Sequence, residues 1–127
     1  MWIFTTLGFY SIVRSNLEPD RFQVRARKRE HLVNLQEHMA GLMGSNIYLG
    51  EIVEVPSADY RWRLIAPQHR LVNILSELLA LVDYTKFKPA VHRQLPSDSD
   101  YHATLIPVWG RMLAMQHVRE RQEVSRG

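Results

Sequence analysis

The sequence predicts an α+β domain in which helices pack on one side of a small antiparallel sheet. The predicted element order is β-β-α-β-α-α-α, in a ferredoxin-like or similar shape. Some segments are rich in aromatic and β-branched residues, which is typical of strands. Other segments repeat apolar residues every three or four positions, which is typical of helices. The 127-residue chain is 46% hydrophobic and 23% charged, an ordinary composition for a globular domain.

Three strands are predicted. The first covers Trp2–Arg14, with Gly8 as a bulge or a point of close approach. A turn follows at Asn16–Asp20, where proline and short polar side chains interrupt the pattern. The second strand, Phe22–Arg27, completes a β-hairpin with the first, and Tyr60–Ile65 is the third strand.

The first two helices are predicted from apolar periodicity. One covers Lys28–Leu42, and the segment Ser45–Ala58 after it is expected to be a loop with some extended structure. Pro67 suits the first turn of the next helix, which covers His69–Val82. Its leucines and valines lie on more than one face, so we expect it to be buried against two layers.

The C-terminal third is also predicted to be helical. A short helix covers Asp83–Gln94, and a last helix covers Asp100–Gln116 after a segment that offers several N-cap side chains. Pro107 should kink that helix or split it. We therefore predict one domain over residues 1–116 and a polar tail over residues 117–127.

Composition excludes several classes of site. Cysteine is absent, which excludes disulfides, thiolate metal sites and cysteine nucleophiles. The apolar start of the chain is too short to cross a bilayer and has the features of a strand rather than of a secretion signal. We therefore expect a cytoplasmic protein with no membrane partner. The net charge of +3 permits nucleic acid or an acidic protein as a partner without requiring either.

Two short segments, Val24–Arg27 and Tyr60–Leu64, alternate arginine with apolar residues. Side chains on a strand point to opposite faces with a period of two, so the arginines of both segments should share one face of the sheet. These arginines are Arg25, Arg27, Arg61 and Arg63. Such a face would bind an anionic partner, face solvent or be neutralised by nearby carboxylates. Alternatively, its charge would protect the edge of the sheet from pairing with another chain.

A nucleic acid is the first partner that this face suggests. Arginines would contact phosphates, and Arg14 would extend the positive field. Tyr10 and Tyr60 would offer rings on which bases stack. The sequence therefore predicts a non-enzymatic binding module for RNA or single-stranded DNA.

The histidines give weaker signals. His31 and His38 are two helical turns apart, about 10 Å along the axis, too far to share one metal ion, so we expect both to be solvated. His92 and His102 flank a turn close to Asp100, and histidine with aspartate suits acid–base chemistry, although aspartates before a helix normally cap it. Motifs for nucleotide binding and for a serine nucleophile are absent. An enzyme is thus the less expected class, and we predict no cofactor and no metal.

Short motifs along the chain resemble a family of small uncharacterised bacterial proteins. Members open with a Gly-Phe-Phe-Ser strand and carry an aspartate-tyrosine…phenylalanine-lysine motif before a final helix that contains tryptophan. The matching segments here are Leu7–Val13, Val24–Arg27, Asp59–Arg61, Asp83–Lys88 and Val108–Trp109. The resemblance implies one compact fold and transfers no catalytic residue.

The alternative function is a protein–protein interaction module, either an accessory subunit of a larger complex or an inhibitor exchanged between phage and host. The arginines, or a helix that carries Trp109 and Met112, would then contact the partner. Arginine, tryptophan and methionine are all enriched at interfaces. A hydrolase that uses His92, His102 and Asp100 is the third possibility, and the sequence does not specify an oligomeric state.

Overall fold

A computed structural model describes residues 1–43 and 49–126 of the chain. Within these residues the chain forms an antiparallel sheet of five strands and four helices, which confirms the α+β class. The chain groups into two compact units, Met1–Thr85 and Lys86–Gly127, where the sequence predicted one domain over residues 1–116. The sheet and the first two helices belong to the first unit.

The elements follow the chain in the order strand, strand, strand, helix, strand, strand, helix, helix, helix. They are β1 (Trp2–Phe4), β2 (Phe9–Arg14), β3 (Arg21–Ala26), α1 (Arg29–Met43), β4 (Val53–Glu54), β5 (Trp62–Pro67), α2 (Gln68–Ala80), α3 (Phe87–Gln94) and α4 (Ser99–Arg126). Strand order in the sheet is β1-β2-β3-β5-β4, and all neighbours are antiparallel. The loop predicted over residues 45–58 thus contains β4, while its residues 45–48 lie outside the described part of the chain.

The first predicted strand is in fact two strands joined by a tight turn. The Thr5 hydroxyl donates to the Gly8 carbonyl at 2.8 Å, and the Gly8 N–H donates to the Thr5 hydroxyl at 3.1 Å. Gly8 has φ +150°, and a Cβ at this position would lie 2.3 Å from the His31 ring. The turn therefore needs glycine at this position, where the backbone approaches α1 closely.

The core of the first unit lies between one face of the sheet and the two helices α1 and α2. Even-numbered residues of three strands supply the sheet side, as the period of two requires. The buried strand residues are Tyr10, Ile12, Val24, Ala26, Leu64 and Ala66, and the buried helix residues include Leu32, Leu35, Met39, Leu71, Ile74 and Leu78. Each large side chain buried in this way contributes about 1.5–3 kcal/mol to stability. The opposite face of the sheet, which we call the open face, is turned away from α1 and α2.

Helix α2 differs from its prediction. It buries Leu71, Ile74 and Leu78, whereas Leu79 and, just beyond its end, Val82 are exposed. The helix therefore packs through one face and is not enclosed by two layers. The extra apolar residues around its circumference made the sequence pattern look like that of a fully buried helix.

The second unit contains α3 and α4. The Asp98 carboxylate accepts a hydrogen bond from the Tyr101 N–H at 3.3 Å and thereby caps α4. Helix α4 continues past Pro107 and does not split there. Residues 117–126, predicted as a tail, are part of this helix, and residue 127 is not described. Of the described helices, none has an apolar stretch that is long enough to cross a membrane.

Candidate nucleic-acid interface

Strand register brings two of the four predicted arginines together. Arg25 of β3 and Arg63 of β5 are direct Cα partners on the open face. Directly paired residues of antiparallel strands have Cα atoms about 5 Å apart. We call these two residues the arginine pair.

The contacts of the arginine pair are with neutral groups. Arg25 Nη2 donates to the Ser11 hydroxyl at 2.7 Å. Arg63 donates from Nη1 to the Gln23 side-chain oxygen at 3.0 Å and from Nη2 to the Tyr60 carbonyl at 2.9 Å. Among the carboxylates whose side chains the structure describes, none is ion-paired with either arginine. The Nε atoms of both guanidiniums are buried without a hydrogen-bond partner.

The two outer arginines have carboxylate partners. Arg27 lies 3.0 Å from a carboxylate oxygen of Asp59, and Arg61 lies 2.5 Å from a carboxylate oxygen of Glu54. The hydrogen bond to the Asp59 carboxylate raises the pKa of the Arg27 guanidinium, because it favours the charged form. Exposed ion pairs of this kind contribute about 0–1 kcal/mol to stability, so exchanging the carboxylate for another anion would cost little free energy.

Tyr10 lies outside the open face. Its ring is buried in the core and its hydroxyl donates to the His31 carbonyl at 2.6 Å. Tyr10 alternates with Ser11 along β2, so it lies on the helix side of the sheet and presents no ring to a base.

Tyr60 lies beside the arginine pair but has another role than the predicted one. Only 4% of its surface is exposed, since two guanidiniums cover the ring. The guanidinium carbon of Arg25 lies 4.5 Å from the ring centroid, and that of Arg27 lies 4.2 Å from it. Cation–π contacts of this kind hold both arginines in place, and they leave no room for a base on this ring.

Arg14 lies away from the other four arginines. It shares the helix side of β2 with Tyr10, and its guanidinium carbon lies 4.6 Å from the Phe22 ring centroid. The guanidinium also donates a hydrogen bond to the Pro19 carbonyl. Arg14 therefore does not extend the positive field of the open face.

Sequence reasoning missed three aromatic residues on the open face, Trp2, Phe4 and Phe9, which we call the aromatic cluster. The Phe4 and Phe9 rings stack with centroids 4.6 Å apart. Trp2 meets Phe9 in an edge-to-face contact at 6.1 Å, and Phe9 lies 6.4 Å from the Tyr60 ring. In one continuous strand, residues 2 and 4 would face away from residue 9. The turn before Phe9 reverses the chain, and pairing of Phe4 with Phe9 puts all three rings on one face.

Histidines take structural positions in the first unit. His31, predicted to be solvated, is buried, because its ring packs against Gly8. Its Nδ1 accepts a hydrogen bond from the Phe9 N–H at 3.2 Å. His31 thus fixes the start of β2 to α1. His38 also departs from the prediction, since its Nε2 atom is buried without a hydrogen-bond partner.

In the second unit, the rings of His92 and His102 are in contact, with centroids 3.8 Å apart. The Nε2 atom of His102 is buried and has no hydrogen-bond partner. In the part of the chain that the structure describes, no group of three or more histidine and carboxylate side chains is arranged to hold a metal ion. The hydrolase suggested for this region stays a prediction.

Comparison of the chain with models of protein families, with curated proteins and with solved structures finds no match. The family resemblance carried by the short motifs therefore stays a prediction.

Proposed function

We propose that the protein is a non-enzymatic, cytoplasmic module that binds RNA or single-stranded DNA through the open face of its sheet. The arginine pair, Arg25 and Arg63, would contact phosphates, and Arg27, which lies over the same Tyr60 ring as Arg25, would add a contact at one end of this face. Arg61, whose guanidinium lies over the Trp62 ring and beside Glu54, would add a contact at the margin of the sheet. The observation that carries the proposal is the pairing of two like charges across neighbouring strands, with no ion pair to either of them from a described carboxylate.

Such a pair is costly in the free protein. Like charges directly opposite each other on a sheet are destabilising, and a buried donor without a partner costs about 1–3 kcal/mol. A bound phosphate would offset the repulsion, since its oxygens accept charge-assisted hydrogen bonds from both guanidiniums. Tyr60 and Ser11 hold Arg25 in place before the ligand arrives, which lowers the entropy cost of binding.

The first prediction concerns the two central arginines. Arg25→Gln and Arg63→Gln should each weaken binding of a fluorescein-labelled single-stranded oligonucleotide roughly 10-fold, because each removes a charged hydrogen bond to phosphate. Fluorescence anisotropy at 50 mM salt measures the affinity. Circular dichroism of each variant checks that the fold is intact.

Arg14→Gln is the matched control, because it removes the same charge from the helix side of the sheet. The affinity of Arg14→Gln for the same oligonucleotide should stay within about twofold of that of the unmodified protein, because only the change in net charge affects it. Equal losses for Arg14→Gln and Arg25→Gln would mean that only net charge matters, and the proposed site would then be wrong.

A second candidate function is a protein–protein module, favoured by the exposed apolar residues of α4. Ile106, Trp109, Met112 and Met115 lie on successive turns and are all more than half exposed. The Lys88 ammonium nitrogen lies 5.1 Å from the Trp109 ring centroid, so a charged group borders these apolar residues, as polar groups border the apolar core of an interface. This function would be favoured over the first by two results together. A protein partner would co-purify in stoichiometric amount even after nuclease treatment, and the purified protein would bind no nucleic acid.

A further inference from the structure

We infer that the aromatic cluster is a base-stacking platform, with Trp2 as the residue that contacts a base. The substrate class would then be nucleic acid with unpaired, unstacked bases, and duplexes would bind less well. This inference rests on the proposed function, because the aromatic cluster matters for nucleic acid only if the arginine pair binds phosphate. Because Tyr10 and Tyr60 are buried, neither can stack on a base. The aromatic cluster supplies the exposed ring that a preference for single strands requires.

The register of the sheet connects the aromatic cluster to the arginine pair. Trp2 pairs with Ser11, Ser11 pairs with Arg25, and Arg25 pairs with Arg63. These four residues form one straight row across β1, β2, β3 and β5 on the open face. A ligand that follows this row meets an aromatic ring at one end and two guanidiniums at the other.

The spacing of the row suits a single strand. Neighbouring strands lie about 4.8 Å apart, so Trp2 is about 10 Å from Arg25 and about 14 Å from Arg63 along the row. A short oligonucleotide that crosses the strands can therefore place a base on Trp2 while neighbouring phosphates reach the arginine pair. RNA-binding sheets use the same division of labour, with two or three bases stacked on aromatic side chains.

Trp2 is available for such a contact. Its side chain is among the most exposed large apolar groups of the described residues, with 70% of its surface accessible. The edge-to-face contact with Phe9 leaves at least one face of the indole free, whichever ring supplies the edge. Phe9, which also stacks on Phe4, is the aromatic neighbour that contacts the indole. The ring thus lies at the surface and is held by its neighbours, as a stacking platform requires.

A duplex lacks the chemistry that this platform recognises. Its bases are already stacked on each other, so their faces cannot reach Trp2 without unpairing. Single-stranded bases present free faces, and one stacked base contributes roughly 10- to 100-fold in affinity. Both kinds of nucleic acid can contact the arginine pair through phosphates, so only the aromatic contact distinguishes them.

The test compares Trp2→Ala and Trp2→Phe in the full chain. The probes are a 12-nucleotide oligouridylate, the corresponding oligodeoxythymidylate and a 12-base-pair DNA duplex, each fluorescein-labelled. We expect Trp2→Ala to weaken binding of the single strands roughly 10- to 100-fold and Trp2→Phe to weaken it less than about fivefold. Duplex affinity and the dependence on salt should change little in either variant. Trp109→Ala is the matched control, since Trp109 is 58% exposed but lies on α4.

The outcomes separate the two proposals. If Trp2→Ala binds single strands as well as the unmodified protein does, the stacking role is wrong, and salt-dependent binding lost in Arg25→Gln would still uphold the arginine site. Equal affinity of the unmodified protein for single strands and duplex would also overturn the inference. If Trp109→Ala loses single-strand binding as Trp2→Ala does, removal of either exposed tryptophan has the same effect, and the specific stacking role of Trp2 is wrong. Absence of binding to all three probes would reject the proposed function as well.

Discussion

At the residue scale, the environment of each arginine decides what it can do. Within the described side chains, Arg25 and Arg63 have neutral partners only, while Arg27 and Arg61 are each paired with a carboxylate. The alternation of arginine with apolar residues predicted that the four share a side of the sheet, and the register makes Arg25 and Arg63 direct partners there. Nearby carboxylates, Glu54 and Asp59 among them, were expected as one source of counter-charge. The sequence could not predict which arginines they would reach, because they lie in a short strand and a turn that had no clear sequence pattern.

Gly8→Ala tests the turn that creates the aromatic cluster. We expect a loss of about 3 kcal/mol in the free energy of unfolding, because an alanine would have a strained backbone and its Cβ would collide with the His31 ring. Urea unfolding followed by circular dichroism measures the loss.

Gly41→Ala is the control for that experiment. Gly41 lies in α1, and a Cβ added there would meet no other atom within 4 Å, so alanine should stabilise the helix by about 0.5–1 kcal/mol. A neutral Gly8→Ala would contradict the close approach of β2 to α1.

At the element scale, the β1–β2 hairpin is the feature that sequence reasoning could not resolve. The segment Trp2–Arg14 has strand-forming residues throughout, and its turn lacks the Asn-Gly or Asp-Gly pair typical of tight hairpins. The turn is stabilised instead by the Thr5 hydroxyl and by packing on His31, a residue distant in sequence. Helices were easier to predict, because their periodicity is local. The continuation of α4 past Pro107 is an exception to the rule that proline ends a helix.

The N-terminus of α4 gives a prediction at this scale. Asp98→Ala should reduce the free energy of unfolding by about 1 kcal/mol, because it removes the cap of the Tyr101 N–H. Asp98→Asn keeps the acceptor and should lose only a few tenths of a kcal/mol. The measurement is thermal or urea unfolding followed at 222 nm. An alanine variant as stable as the asparagine variant would show that the cap contributes little.

At the scale of the whole molecule, composition and patterning predicted the α+β class and the presence of a small antiparallel sheet. They did not predict the grouping into two compact units, because residues 81–86 carry no obvious linker composition. They also did not predict that the arginine pair and the aromatic cluster share one face. That juxtaposition depends on the register of four strands, and register is set by the packing of the opposite face against α1 and α2.

The most direct test of the proposed function is the salt dependence of oligonucleotide binding by the unmodified protein and by the Arg25→Gln/Arg63→Gln double variant. Each phosphate contact to a single strand contributes about −0.7 to the slope of log affinity against log salt concentration. The double variant should therefore have a slope less steep by about 1.4, together with a large loss of affinity at low salt. Equal slopes for the two proteins, or no salt-sensitive binding by the unmodified protein, would contradict the assignment of phosphate contacts to the arginine pair.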